Sequence, residues 1–219
     1  MRFFALVSCL FLLYSCGPKI IDKPIVFNDL RRELSLKYME EHYGIEKNTP
    51  VIEPKMVVVH WTAIPTLEGS FNAFRDPLLP NSRTAIKDAG SLNVSVQFLV
   101  DRDGSIYRLM PETTMGRHVI GLNHVALGIE NVGGTKTTPL TKQQLKANIE
   151  LIKYLSSKYD IEYVLGHYQY QNFEQHPLWK EKDEDYRTHK IDPGKDFMAA
   201  IWAATKDLNL KPVPKEKEI

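Results

Sequence analysis

The run Met56-Val57-Val58-Val59-His60 limits the possible folds more than any other stretch of this chain. It is short, apolar and β-branched, which suits a buried central strand. Its last residue is an imidazole, followed by Trp61 and Thr62. A second short strand is expected over Tyr163-Val164-Leu165, leading through Gly166 into His167, and Asp192 opens the turn Asp192-Pro193-Gly194. A strand end aims a ring within the tolerance that metal bonds demand, and a Pro-Gly turn presents its carboxylate from restricted backbone. Each feature alone is commonplace. Together, two imidazoles and one carboxylate could converge on a metal ion. Zinc held by three protein ligands keeps a fourth position for water and lowers its pKa towards ~7, enough to cut an amide without a nucleophilic side chain.

Cysteine usage narrows the ligand set. Both cysteines, Cys9 and Cys16, lie near the N-terminus, so the folded domain has neither disulfides nor thiolate ligands. Residues 1–15 read as a signal peptide: Arg2 is the positive n-region, and Phe3 to Tyr14 is almost continuously apolar. About a dozen apolar residues are too few to cross a hydrocarbon core of ~30 Å. Leu13-Tyr14-Ser15-Cys16 resembles a bacterial lipoprotein signal, which implies lipidation at Cys16 and a membrane anchor without a transmembrane helix. The expected location is therefore the bacterial cell envelope, as a membrane-anchored lipoprotein facing the periplasm. A net charge of +1 carries no basic excess, so no nucleic acid partner is expected.

No internal repeat or long low-complexity run divides the chain, and about 200 mature residues suit one domain. The expected boundaries are a tether over 16–27, a domain over 28–210 and a charged, frayed tail over 211–219. Asn28 or Asp29 caps a helix that carries Leu30, Leu34 and Met39 and ends at Gly44. Thr66 to Arg75 puts Leu67, Phe71 and Phe74 on one helical face, and Pro77 opens a loop to about Asn93. Asp101-Arg102-Asp103-Gly104 joins two hairpin strands, Ser95 to Val100 and Ser105 to Leu109. Ala126 to Val132 reads as a further strand. Thr141 with Gln144 opens an amphipathic helix through Leu145, Ile149, Ile152 and Leu155, and Phe197 to Leu208 is a last helix. Strands and helices mix without strict alternation. The expected class is α/β, a single domain with a central mixed sheet flanked by helices.

Five segments in one order carry a more specific signal: Val57-Val58-Val59-His60-Trp61-Thr62, Gly116-Arg117-His118, Asn123 to Glu130, Leu165-Gly166-His167, and Lys190-Ile191-Asp192-Pro193-Gly194. The chain thereby resembles the zinc N-acetylmuramoyl-L-alanine amidases, the type 2 amidase family that shares its fold with peptidoglycan recognition proteins. The resemblance spans roughly Lys55 to Leu208. It implies one Zn²⁺ per chain on His60, His167 and Asp192, a catalytic Glu130, and Lys190 as the stabiliser of developing negative charge. It also sets His118 near the metal as a groove residue, and His118 and Asn123 are taken as substrate-binding or oxyanion groups. The implied partner is peptidoglycan or a muropeptide, bound by a monomer.

Two departures matter. A tyrosine that some members carry is replaced by Val96 or Gln97, which leaves more of the chemistry to Glu130 and Lys190. The stretch between His167 and Lys190 is long and aromatic, with Tyr168, Tyr170, Phe173, Trp179 and Tyr186. It reads as an extra structured loop or as a groove wall. A non-catalytic peptidoglycan-binding module on the same fold is the alternative; such members usually lose a zinc ligand. A different zinc amidohydrolase is the third option.

Overall fold

The run that opens the argument is strand β2 (Met56–Trp61), and it lies inside the sheet of this computed structural model, which describes residues 17–215. The expected signal peptide, Cys16 and residues 216–219 lie outside the described residues. The other strands are β1 (Ile20–Asp22), β3 (Phe98–Val100), β4 (Ile106–Arg108), β5 (Ala126–Asn131) and β6 (Tyr163–Gly166), in the spatial order β1-β4-β3-β5-β2-β6. Only β3 and β4 pair antiparallel, as the Asp101–Gly104 turn between them requires; the remaining pairs are parallel. The helices are α1 (Asp29–Tyr43), α2 (Leu67–Arg75), α3 (Lys142–Lys158) and α4 (Lys195–Ala204). The architecture is thus the single α/β domain with a mixed sheet that the sequence leads one to expect.

Strand periodicity divides the core into two layers. Met56 and Val58 of β2, Ala126 of β5, and Tyr163 and Leu165 of β6 pack with Tyr38, Met39 and Tyr43 of α1 on one face. Val57, Val59, Leu127, Ile129 and Val164 point the other way, onto Leu151, Ile152 and Leu155 of α3 and Met198 and Ile201 of α4. Full burial of each such side chain stabilises the fold by roughly 1.5–3 kcal/mol. The α3 start is held by the capping box: the Gln144 N–H donates to Thr141 Oγ1, and the Thr141 N–H donates to Gln144 Oε1. No helix among the described residues is long and apolar enough to cross a membrane.

Four local expectations need correction. Residues within the expected tether add an edge strand: Ile20 to Asp22 pair with Ile106 to Arg108, and Ile25 is buried. The ladder continues as the Lys23 and Ile25 N–H groups reach Arg108 and Leu109 carbonyls. Leu30 faces solvent because the buried face of α1 is led by Arg31 instead. That guanidinium donates to the carbonyls of Phe74, Arg75 and Asp76 at the α2 C-terminus and to Val26, satisfying carbonyls that helix ends leave orphaned. The tail is tied down as far as Pro214, since Lys211 N–H donates to the Glu162 carbonyl and Asn172 Nδ2 to Pro214. The last helix stops at Ala204, with a short 3₁₀ turn over Lys206–Leu208.

Candidate metal centre

The alternation that builds the core also builds the site. On β2 the face of Met56 and Val58 next presents His60; on β5 the face of Ala126 and Gly128 next presents Glu130; beyond β6 the face of Tyr163 and Leu165 next presents His167. His60 and Glu130 are direct register partners, and Val59 pairs with Gly166. Three functional side chains therefore meet at the C-terminal ends of adjacent parallel strands, the usual place for a site in an open α/β sheet. Asp192 joins them from the turn before α4, where its carbonyl accepts the Tyr168 N–H.

His60 Nδ1 lies 2.9 Å from His167 Nδ1, His167 Nδ1 lies 3.0 Å from Asp192 Oδ2, and His60 Nδ1 lies 3.4 Å from the same oxygen. All three residues are buried, and among the described residues they are the one group of this kind able to hold a metal. Ligand bonds of 2.0–2.2 Å in a tetrahedron put neighbouring ligand atoms roughly 3.3 Å apart. The triangle fits that spacing closely. Two imidazole nitrogens and a carboxylate oxygen are also a zinc-type donor set, so the residues fit the ion. Burial, and then His167, lower the His60 pKa to about 4, which keeps its ring neutral as a ligand must be. Burial alone would raise Asp192, but His167 and His60 hold its carboxyl well below the usual range.

The triad opens onto a cleft of about 740 Å³ lined by Trp61, Arg83, Glu130, Thr188, Lys190 and others. Glu130 is half-buried, and its Oε2 is sealed from solvent without a hydrogen-bond partner. Burial first, and Asp192 second, push its carboxyl up to about 8, against the pull of Arg83 and Lys190. Glu130 thus stands beside His60 with one carboxyl oxygen uncommitted. Lys190 is half-buried on the same wall and makes no ion pair among the described residues.

His118 and Asn123 both line the cleft beside the triad. Both His118 ring nitrogens are engaged, Nδ1 with His60 Nε2 at 3.0 Å and Nε2 with the Ala126 carbonyl at 3.4 Å. Asn123 spends its amide on the His118 and Val119 N–H groups and on the Tyr43 hydroxyl. The Asn123 amide carries a second N–H beyond the one given to Tyr43. Gln97, standing where a tyrosine was sought, is fully buried; it donates to the Thr114 carbonyl and accepts the Gly128 N–H.

The long aromatic stretch is mainly structural. Tyr170, Phe173 and Tyr186 belong to the core, and Trp179 stacks on Tyr170 at 6.2 Å. Only its C-terminal part, Tyr186 to Lys190, borders the cleft. The remaining histidines stand apart from the triad: His42 bonds Glu181, His176 bonds Tyr163, His124 packs at a tilt against Tyr43, and His189 is exposed at the rim.

Two arginines carry more than the sequence reading assigned to them. Arg117 is buried and donates to the carbonyls of Ile86, Ala89, Gly90 and Leu92 and to the Tyr186 hydroxyl, clamping the loop that forms one cleft wall. Arg83 sits on that loop, its guanidinium lowered in pKa by burial and drawn upward by Glu130. A guanidinium buried against loop carbonyls leaves no periodic trace, so only the motif Gly116-Arg117-His118 could have drawn attention to Arg117.

Fold and site together define a hydrolase built on a mixed sheet, with a His-His-Asp group able to hold a metal at its strand ends. The model of the family described as N-acetylmuramoyl-L-alanine amidase matches residues 47–195, most of the described chain, and the protein belongs to that family of peptidoglycan amidases. Among solved structures, the N-acetylmuramoyl-L-alanine amidase LysC from Clostridium intestinale URNW is similar at 24% identity and a TM-score of 0.51, over 89% of this chain and 100% of that one. A selenomethionine derivative of AmpD is similar at 21% identity and a TM-score of 0.51, over 84% and 93% of the two chains. These likenesses concern the fold. A search of curated proteins returned no match.

Proposed function

We propose that this peptidoglycan amidase is zinc-dependent and cleaves the amide between the lactyl group of N-acetylmuramic acid and the L-alanine of the stem peptide. His60, His167 and Asp192 would hold one Zn²⁺. The observation that carries this reading is the triangle of two Nδ1 atoms and one carboxylate oxygen within 3.4 Å of one another at the strand ends. When bound, the ion supplies Lewis acidity, polarising the scissile carbonyl and lowering the pKa of water.

The chain's own residues do the rest. Glu130, which lines the cleft, takes a proton from the attacking water and returns it to the departing amine. Lys190, with no partner among the described residues, supplies positive charge to the oxyanion that forms on the carbonyl. The loop clamped by Arg117 and the Tyr186–Lys190 segment, tied together through the Arg117–Tyr186 hydrogen bond, would both border the bound substrate.

The sequence of residues 1–16 supports a signal peptide cleaved before a lipidated Cys16, which would fix the enzyme as a monomer on an envelope membrane facing the periplasm. The experiment that tests the activity is release of free stem peptide from purified muropeptide by zinc-loaded protein, with a chelator control. Chelator-sensitive release is expected. Binding without release would make the chain a recognition module, and cleavage of other amides only would make it a different amidohydrolase.

A further inference from the structure

We propose that His118 is the positioning residue of the metal site: its ring locks His60 in the tautomer and orientation that leave Nδ1 bare towards His167 and Asp192. This inference rests on the zinc reading above and assigns a role that the family resemblance did not give.

The Ala126 carbonyl can only accept, so the ring nitrogen facing it, His118 Nε2 at 3.4 Å, is the one that carries hydrogen. A neutral imidazole has one N–H, which leaves His118 Nδ1 as a bare acceptor. His60 Nε2, 3.0 Å from that acceptor, must then be the donor, and His60 Nδ1 is left without hydrogen. That bare nitrogen is the atom 2.9 Å from His167 Nδ1 and 3.4 Å from Asp192 Oδ2. A strand carbonyl, two imidazoles and the metal position form one directional chain. Metal-bound histidines depend on such a partner for ring orientation.

The slot for the His118 ring is built into the backbone. A Cβ on Gly128 of β5 would lie 2.9 Å from Val96 Cγ1 and 3.0 Å from His118 Cγ and Cδ2, so the bare glycine makes room for the imidazole against the sheet. A Cβ on Gly116 would first meet the Ser95 carbonyl at 2.6 Å and then His118 Cδ2 at 3.2 Å, so that glycine answers mainly to the neighbouring backbone. The two rings meet edge to face, with centroids 5.1 Å apart. Asn123 fixes the backbone beneath, accepting the His118 and Val119 N–H groups at 2.8 Å each while its Nδ2 donates to Tyr43 Oη at 2.8 Å. Asn123 and Gly128 thereby both serve the His118 imidazole.

The test is the zinc dissociation constant of the purified full chain, measured by competition with a chromophoric chelator. His118→Phe keeps a ring and removes both nitrogens; it is expected to weaken zinc binding by about 10–100-fold. His118→Asn can return an acceptor oxygen near the Nδ1 position and should recover binding to within a few-fold of wild type. A merely structural role would not produce that rescue. Cobalt-loaded protein adds a geometric signature, since its visible absorption should change in His118→Phe and revert in His118→Asn. Gly128→Ala, whose Cβ displaces the ring without touching a ligand, should also weaken binding, and it decides the matter if His118→Phe does not fold. Wild-type affinity in His118→Phe or Gly128→Ala, or equal weakness of the Phe and Asn variants at matched melting temperature, would overturn the proposal. Failure of the zinc reading looks different: Asp192→Ala would then bind zinc as wild type does, or the wild type would bind none.

Discussion

Replacing Glu130 with glutamine should produce two effects of opposite sign. The amide keeps the shape of the carboxyl but cannot accept and return a proton, so turnover should fall ~10²–10⁴-fold while zinc content is unchanged. Stability of the metal-free protein should rise. Burial and Asp192 push the Glu130 carboxyl from an ordinary 4.5 up to about 8. A carboxyl raised in this way holds its proton more tightly in the folded chain, so stability is fully present below 4.5 and drains away as the pH climbs to 8. At about 1.4 kcal/mol per pH unit the loss across that window is roughly 4–5 kcal/mol for a carboxyl shut wholly from water. Glu130 opens onto the cleft, so solvent screening reduces the expected gain from Glu130→Gln to ~1–3 kcal/mol at pH 9, shrinking to nothing near pH 4. Urea denaturation of chelator-treated wild type and variant across that range measures the difference, and muropeptide hydrolysis measures the rate. Equal stability at pH 9 would show that the carboxyl is not held in a charge-averse pocket. Near-normal turnover would remove it from proton transfer.

Arg117→Met should free the cleft wall, because no other side chain reaches the carbonyls of Ile86, Ala89 and Leu92 together; tryptic cleavage at Arg83 and Lys87 should accelerate at least several-fold, and unchanged cleavage would refute the clamp. Glu112 is opposed by burial, yet the Lys158 and Tyr159 hydrogen bonds hold its carboxyl below the ordinary 4.5. Its stabilising effect is therefore present above 4.5 and lost as the pH falls through the lowered value, so Glu112→Gln should cost ~1–3 kcal/mol at pH 7 and little in strong acid, as thermal melts would report. Cys16→Ser should move the protein from the membrane to the soluble fraction of its bacterial host. Retention in the membrane fraction would argue against a lipid anchor at that residue.

Much of this site could be read from the sequence because it depends on local rules. Alternation along Met56 to His60 and Ala126 to Glu130 is a local rule, and the register of β2 with β5 then sets His60 directly beside Glu130. Caps at Asn28 and Thr141 and the Asp101–Gly104 turn are equally local, and the structure has each of them, while Thr66 caps α2 instead of opening it. What escaped depends on distant partners. Ile20 to Asp22 is too short to read as a strand and becomes one because Ile106 to Arg108 offers an open edge. Leu30 has the pattern of a core residue, but the α2 C-terminus nearby needs a donor, and Arg31 takes the buried position. His118 stands in a motif, yet its role is set by a carbonyl and a ring contributed by two different strands. Hydrogen-bond direction, unlike hydropathy, has no period.

Anomalous scattering at the zinc edge, from crystals of zinc-loaded protein, tests the central claim most directly. The account expects a single strong peak within ~2.0–2.2 Å of His60 Nδ1, His167 Nδ1 and Asp192 Oδ2 together. A peak that omits any of the three, or a fourth protein side chain closing the remaining position, would contradict it.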